Sequence, residues 1–249
     1  MKQGCGGLLP LVTVALVVLL SACQPAPAPT PGASAHPPTT TPTPDQARCA
    51  RLAQRGFTPC PPTAAQLKLP PTTIKNATNG AVSDTTAQQW GRAFQLTEAY
   101  YRWALQANAR DALTKGALSD ASTQAVANLF ASDLMDLDDA KQAGGTLAYD
   151  PPAIPITQLV IVPASLQDAI RRQGLAPAAY GVAVRFTGPT RRSIRMPNGA
   201  ERTVIVRDAT FQADGLVWGE LRVDPDLGAI WYEHGSYGCQ DSVRSVCAL

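Results

Sequence analysis

Between residues 84 and 108, apolar side chains return every three or four positions. Trp90, Ala93, Phe94, Thr97, Tyr101, Ala104 and Leu105 form a stripe, and Leu96, Tyr100 and Trp103 widen it. The pattern predicts a helix from about Asp84 or Thr85, where Thr85 and Gln88 stand at capping-box spacing, to about Asn108. So broad a face needs wrapping, by core packing first and as a ligand-lining wall second. A shorter helix, Gln46 to Arg55, is predicted after a cap at Asp45 and ends at Gly56, and Leu69 to Gly80 reads as loop. Another begins near Ser119 or Asp120 and carries Val126, Leu129, Phe130, Leu134 and Leu137 to a stop at Gly144-Gly145. Its Asp133, Asp136, Asp138 and Asp139 read as a solvated acidic face, because the turn glycine and closing glutamate of a calcium loop are missing.

From Ile154 the period changes to two. Ile156 to Val162 reads as a strand, and Ser165 to Gln173 as a short helix ended by Gly174. Tyr180, Val182, Val184 and Phe186 alternate with Gly181, Ala183 and Arg185, the mark of a strand buried on one side. Thr203 to Ala213 is its expected partner, Asp214-Gly215 an expected hairpin turn, and Leu216 to Val223 the return strand. Asp224 to Gly228 then turns into Ala229 to Glu233. Two or three helices followed by a curved antiparallel sheet place the chain in the α+β class.

The N-terminal apolar run, Leu8 to Leu20, is about thirteen residues, whereas a helix crossing a bilayer needs about twenty. It reads as the core of a signal segment, with Lys2 ahead of it. The residues closing it, Leu20-Ser21-Ala22-Cys23, resemble a bacterial lipobox. The resemblance implies that Cys23 receives a diacylglyceryl thioether and becomes the first mature residue, with a third acyl chain on its amino group. The protein is then expected at the cell membrane or outer membrane, lipid-anchored and facing the periplasm or exterior.

Residues 1–22 are thus a signal peptide and 23–45 a tether. The repeats Gln24-Pro25-Ala26-Pro27-Ala28-Pro29-Thr30-Pro31 and Pro37-Pro38-Thr39-Thr40-Thr41-Pro42 favour polyproline II, which rises about 3.1 Å per residue and reaches roughly 70 Å from the bilayer. Residues 46–80 form an N-terminal arm and 81–249 the α+β domain. Of six cysteines, Cys5 lies in the signal and Cys23 on the lipid, leaving Cys49, Cys60, Cys239 and Cys247. An even number in an exported chain predicts two disulfides. Cys49 with Cys60 and Cys239 with Cys247 is the local pairing, and a crosswise pairing that clamps the chain ends is the alternative. The formal charge is only +2, and Lys2 leaves with the signal, so the balance points to no nucleic-acid partner.

Trp90-Gly91-Arg92-Ala93-Phe94 and Ala99-Tyr100-Tyr101-Arg102 are similar to the first helix of many NTF2-like domains, and with the element order they give a resemblance to that cystatin-like roll from about Ala81 to Gly235. The family holds small-molecule isomerases and dehydratases as well as non-catalytic cavity modules. In its enzymes Asp or His inside the cavity is the general base, which singles out His234, Asp208 and Glu220. His36 lies in the tether; His234, the only histidine outside it, stands at a strand end with no visible orienting partner. No G-x-S-x-G, phosphate loop, metal motif or cofactor signature occurs. Arg185, Arg191, Arg192, Arg195, Arg202 and Arg207 gather around one hairpin, with Glu201 and Asp208 near; Arg191, Arg192 and Arg195 are candidates for contact with anionic head groups, a cell-wall polymer or an envelope protein. A charged hairpin that deters aggregation is the plainer explanation. Two functions follow: a lipid-tethered binding or accessory domain without catalysis or cofactor, and a small-molecule cavity enzyme.

Overall fold

The computed structural model describes residues 42–120, 134–150, 156–163, 180–187, 189–208 and 212–238. Within them the chain is α+β, a few helices with eight strands in two sheets that do not close into a barrel. Helix α1 spans Pro44–Gln54. Thr43 rather than Asp45 caps it, accepting from the Gln46 amide while the Gln46 side chain accepts from the Thr43 amide, and Pro44 fits the first turn, where no N–H is needed. The long helix α2 is Asp84–Gln106, capped by Ser83 two residues ahead of the expected box. Helix α3 is Arg110–Thr114, and a further helical segment covers 134–142. The stops expected at Gly56 and Gly144 are both left-handed, with φ of 91° and 67°, conformations that cost glycine little.

The larger sheet has the order β1 (Thr73–Asn76), β3 (Ile156–Pro163), β4 (Tyr180–Thr187), β7 (Gln212–Asp224), β8 (Gly228–Gly238); β1 runs parallel to β3, and the other neighbours are antiparallel. The smaller, antiparallel sheet is β2 (Thr146–Asp150), β5 (Thr190–Arg195), β6 (Glu201–Arg207).

Several expectations are corrected. Residues 73–76 are a strand, since a short polar segment becomes one when a distant strand supplies hydrogen bonds, with Ile74 opposite Leu159. The segment beginning at Thr203 does not pair with β4: β6 turns back on β5, and β4 lies between β3 and β7. Asp214-Gly215 is no hairpin turn but lies inside β7, opposite Arg185 and Val184, because β4 offers a continuous ladder there. Gly181, Val182, Ala183 and Val184 are all buried, so β4 is covered on both faces. The expected helix at 165–173 lies outside the described residues.

α2 is the axis of the core. One flank packs Ala87, Ala93 and Phe94 on Leu159, Ile161, Val182, Val184 and Trp231 of the larger sheet. The other packs Leu96, Tyr100, Tyr101 and Leu105 on Leu52 and Phe57 of the arm, Leu113 of α3 and Leu137. Gly91 lets β1 approach, since a Cβ there would stand 2.7 Å from the Ile74 side chain. The arm is also tied to the turn between β7 and β8. Arg48, Arg51 and Arg55 follow one face of α1; Arg48 donates to the Asp226 carbonyl, Arg51 to the Asp226 carboxylate at 2.6 Å, and Arg55 to Asp224 at 2.5 Å. The expected Cys49–Cys60 disulfide is present and closes the arm's loop, which excludes the crosswise pairing. Cys23, Cys239 and Cys247 lie outside the described residues.

Candidate functional site

The free edge of β8 is covered, and this covering builds the site. The Thr97 hydroxyl accepts from the Trp231 amide at 2.9 Å, and Glu233 exchanges backbone hydrogen bonds with Leu118 and Asp120. With that edge pinned to α2, strand alternation places Glu233 on the same face as Trp231. Glu98, between Phe94 and Tyr101 on the helical repeat, is buried with it: the two glutamates are 7% and 4% exposed. The Tyr101 hydroxyl donates to Glu233 Oε2 at 3.3 Å.

Two adjacent buried carboxylates do not both ionise easily. Burial, reinforced by the neighbouring Glu98, pushes the Glu233 carboxyl well above the usual range. Burial also pushes Glu98 up, to about 7, against the pull of the Arg102 guanidinium. Glu98 therefore exchanges its proton near neutral pH. It lines a pocket of about 260 Å³ between α2 and the arm. Leu67, Leu69, Pro70, Trp103 and Ile156 give it an apolar lining, and Lys68, Glu98 and Arg102 supply charge. Gln95 holds the arm in place through hydrogen bonds to the Pro70 carbonyl, 3.0 Å, and the Thr72 hydroxyl, 2.7 Å. Arg102 rests 3.8 Å above the Tyr149 ring of β2, and its buried Nε has no hydrogen-bond partner.

Asp208, Glu220 and His234 are not among the residues lining this pocket. Asp208 is exposed after β6, and Glu220 is exposed on β7 with Arg222 at 2.6 Å. His234 has an orienting partner after all: its Nδ1 contacts the Asp120 carboxylate, brought alongside when residues 118–120 pair with β8. Sequence periodicity did not reveal this pairing across more than a hundred residues. Among the described residues, no group of three or more His, Cys, Asp or Glu is placed to hold a metal ion, and no helix is long and apolar enough to cross a membrane.

The candidate arginines lie on β5, within bonding distance of acids. Arg192 is buried and ion-paired with Asp136 at 2.6 Å; burial, with Arg102 and Arg207 nearby, depresses its guanidinium to about 10. Arg191 and Arg195 both reach Glu201, at 3.3 and 2.8 Å. In the acidic stretch expected to face solvent, Asp138 and Asp139 remain open to it while meeting Arg110 and Arg202, the latter at 3.2 Å, and Asp136 is largely covered against Arg192. Asp133 lies outside the described residues.

Glu98, Arg102 and Glu233 were missed by sequence reasoning. The available signal was a charge inside an apolar stripe: Glu98 interrupts the face of Phe94 and Tyr101, and Glu233 shares the parity of Trp231. Comparisons with family models, with curated proteins and with solved structures found no match to this chain.

Proposed function

We propose that the chain is a lipid-anchored cell-envelope protein whose folded part is a binding or accessory domain without catalysis. The anchor rests on Leu20-Ser21-Ala22-Cys23 and the Pro/Thr/Ala tether after it. The observation that carries the non-catalytic function is the filling of the layer between α2 and the larger sheet. Phe94, Leu159, Ile161, Val184 and Trp231 pack there, and the Trp90 ring lies 5.4 Å from Tyr180 and 5.6 Å from Trp231. A single long helix on a mostly antiparallel sheet is also in keeping with the NTF2-like resemblance.

Glu98 favours a second function, a small-molecule cavity enzyme of that kind, with Glu98 rather than His234 as base. Turnover of small amphiphilic substrates by the parent chain, His234→Ala and Glu98→Gln decides between them. The binding function predicts no turnover in any of the three, with His234→Ala leaving ligand binding unchanged. A ligand-dependent turnover that falls about a hundredfold or more in a folded variant contradicts it and establishes the enzyme.

A further inference from the structure

We infer that the pocket between α2 and Leu67–Pro70 is a binding site for a small amphiphile bearing one carboxylate, with the carboxylate on Arg102 and Glu98 and the apolar body against Leu67, Leu69, Pro70 and Ile156. This deepens the binding function and rests on it. Size sets the first limit. At about 260 Å³ the pocket is slightly smaller than the roughly 300–1,000 Å³ of common small-molecule sites, so it fits a medium-length chain rather than a whole lipid.

Charge selects the head group. Arg102 lines the pocket and brings a cation to it, its guanidinium resting on the Tyr149 ring, and Arg207 of the smaller sheet lies close enough to add like charge. Burial makes Glu98 ionise with difficulty despite Arg102, and its protonated form offers an O–H donor. Lys68, exposed, stands at the pocket wall. A ligand carboxylate accepts from both Arg102 and protonated Glu98, a charge-assisted pair of contacts. An ammonium head group needs Glu98 ionised in its buried place and sets a second cation beside Arg102. The other groups packed on the site, Tyr101 and Tyr149, are held neutral by burial, which raises both hydroxyls, Tyr149 to about 12. Binding of a carboxylate is therefore coupled to uptake of one proton by Glu98.

The test is calorimetric titration of the full, lipidated chain in nanodiscs with octanoate, octylammonium and octanol, using empty nanodiscs as blank, between pH 6 and 9, where the acid and amine probes keep their charges. Octanoate is expected to bind once per chain and at least tenfold more tightly than octylammonium. Its affinity is expected to fall on the order of a hundredfold from pH 6 to 9, from a proton released at about 7. Arg102→Met weakens octanoate at least tenfold. Glu98→Gln keeps an amide donor in place of the acid, so it retains binding with a flat pH profile. Octanoate heats no different from the blank, octylammonium equal or tighter, or an unchanged pH profile in Glu98→Gln would each overturn the site. Chemically altered octanoate recovered after binding would support the site while contradicting the non-catalytic function.

Discussion

Replacing Glu98 with Gln should stabilise the protein, and only above acidic pH. The folded chain holds the Glu98 proton up to about 7, whereas the unfolded chain releases it near the ordinary 4.5. Between those values unfolding releases a proton, so this group's contribution is fully present below about 4.5 and is lost as pH rises through 7. A displacement of about 2.5 units at 1.36 kcal/mol each gives about 3 kcal/mol of destabilisation at pH 8, a figure the side chain's burial permits. Glutamine keeps the shape and has no proton to lose. The change in stability on Glu98→Gln should therefore move by about 3 kcal/mol in favour of the variant between pH 4.5 and pH 8, roughly 6–12 °C in melting temperature for a domain of this size. Urea unfolding followed by circular dichroism, with disulfides intact, measures it. An equal effect of the substitution at both pH values would refute the argument that burial holds the proton on Glu98.

Other substitutions probe the frame of the site. Arg192→Met leaves Asp136 without its cation and should cost about 3–5 kcal/mol in denaturant unfolding, with Asp136→Leu in the same chain restoring much of it; equal losses in the single and double variants would dismiss the pair. Cys60→Ser opens a loop of eleven residues' separation and should cost about 3 kcal/mol, together with faster proteolysis at the arm; unchanged stability would mean the arm is held by its arginines alone. His234→Ala removes a partly exposed partner of Asp120 and should change stability by about 1 kcal/mol or less; a loss above about 3 kcal/mol would show that the contact organises the β8 edge.

The two long periodic signals were legible because they are local. The stripe from Trp90 to Leu105 dictates a helix whatever surrounds it, and the Leu216 to Val223 strand with its Asp224–Gly228 turn dictates a hairpin. Pairing between distant segments was not legible. Asp214-Gly215 has good turn chemistry, but β4 supplies a partner that keeps those residues extended, and Thr73–Asn76 becomes a strand only beside β3. The candidate site has the same history. Nothing near His234 in sequence announces Asp120, and Glu98 meets Glu233 only because the Thr97 hydroxyl and residues 118–120 pin β8 against α2. Single charged residues in apolar patterns carried information that clusters of charge did not: around the hairpin Arg192 and Arg202 meet Asp136 and Asp139, and Arg191 and Arg195 meet Glu201.

Intact mass spectrometry of the chain extracted from bacterial membranes tests the tethered function most directly. The prediction is a chain beginning at Cys23 and carrying a diacylglyceryl thioether with a third acyl chain on its amino group, a species that Cys23→Ala cannot form. A mature chain without acyl mass, or fatty-acid labelling that persists equally in Cys23→Ala, would contradict it.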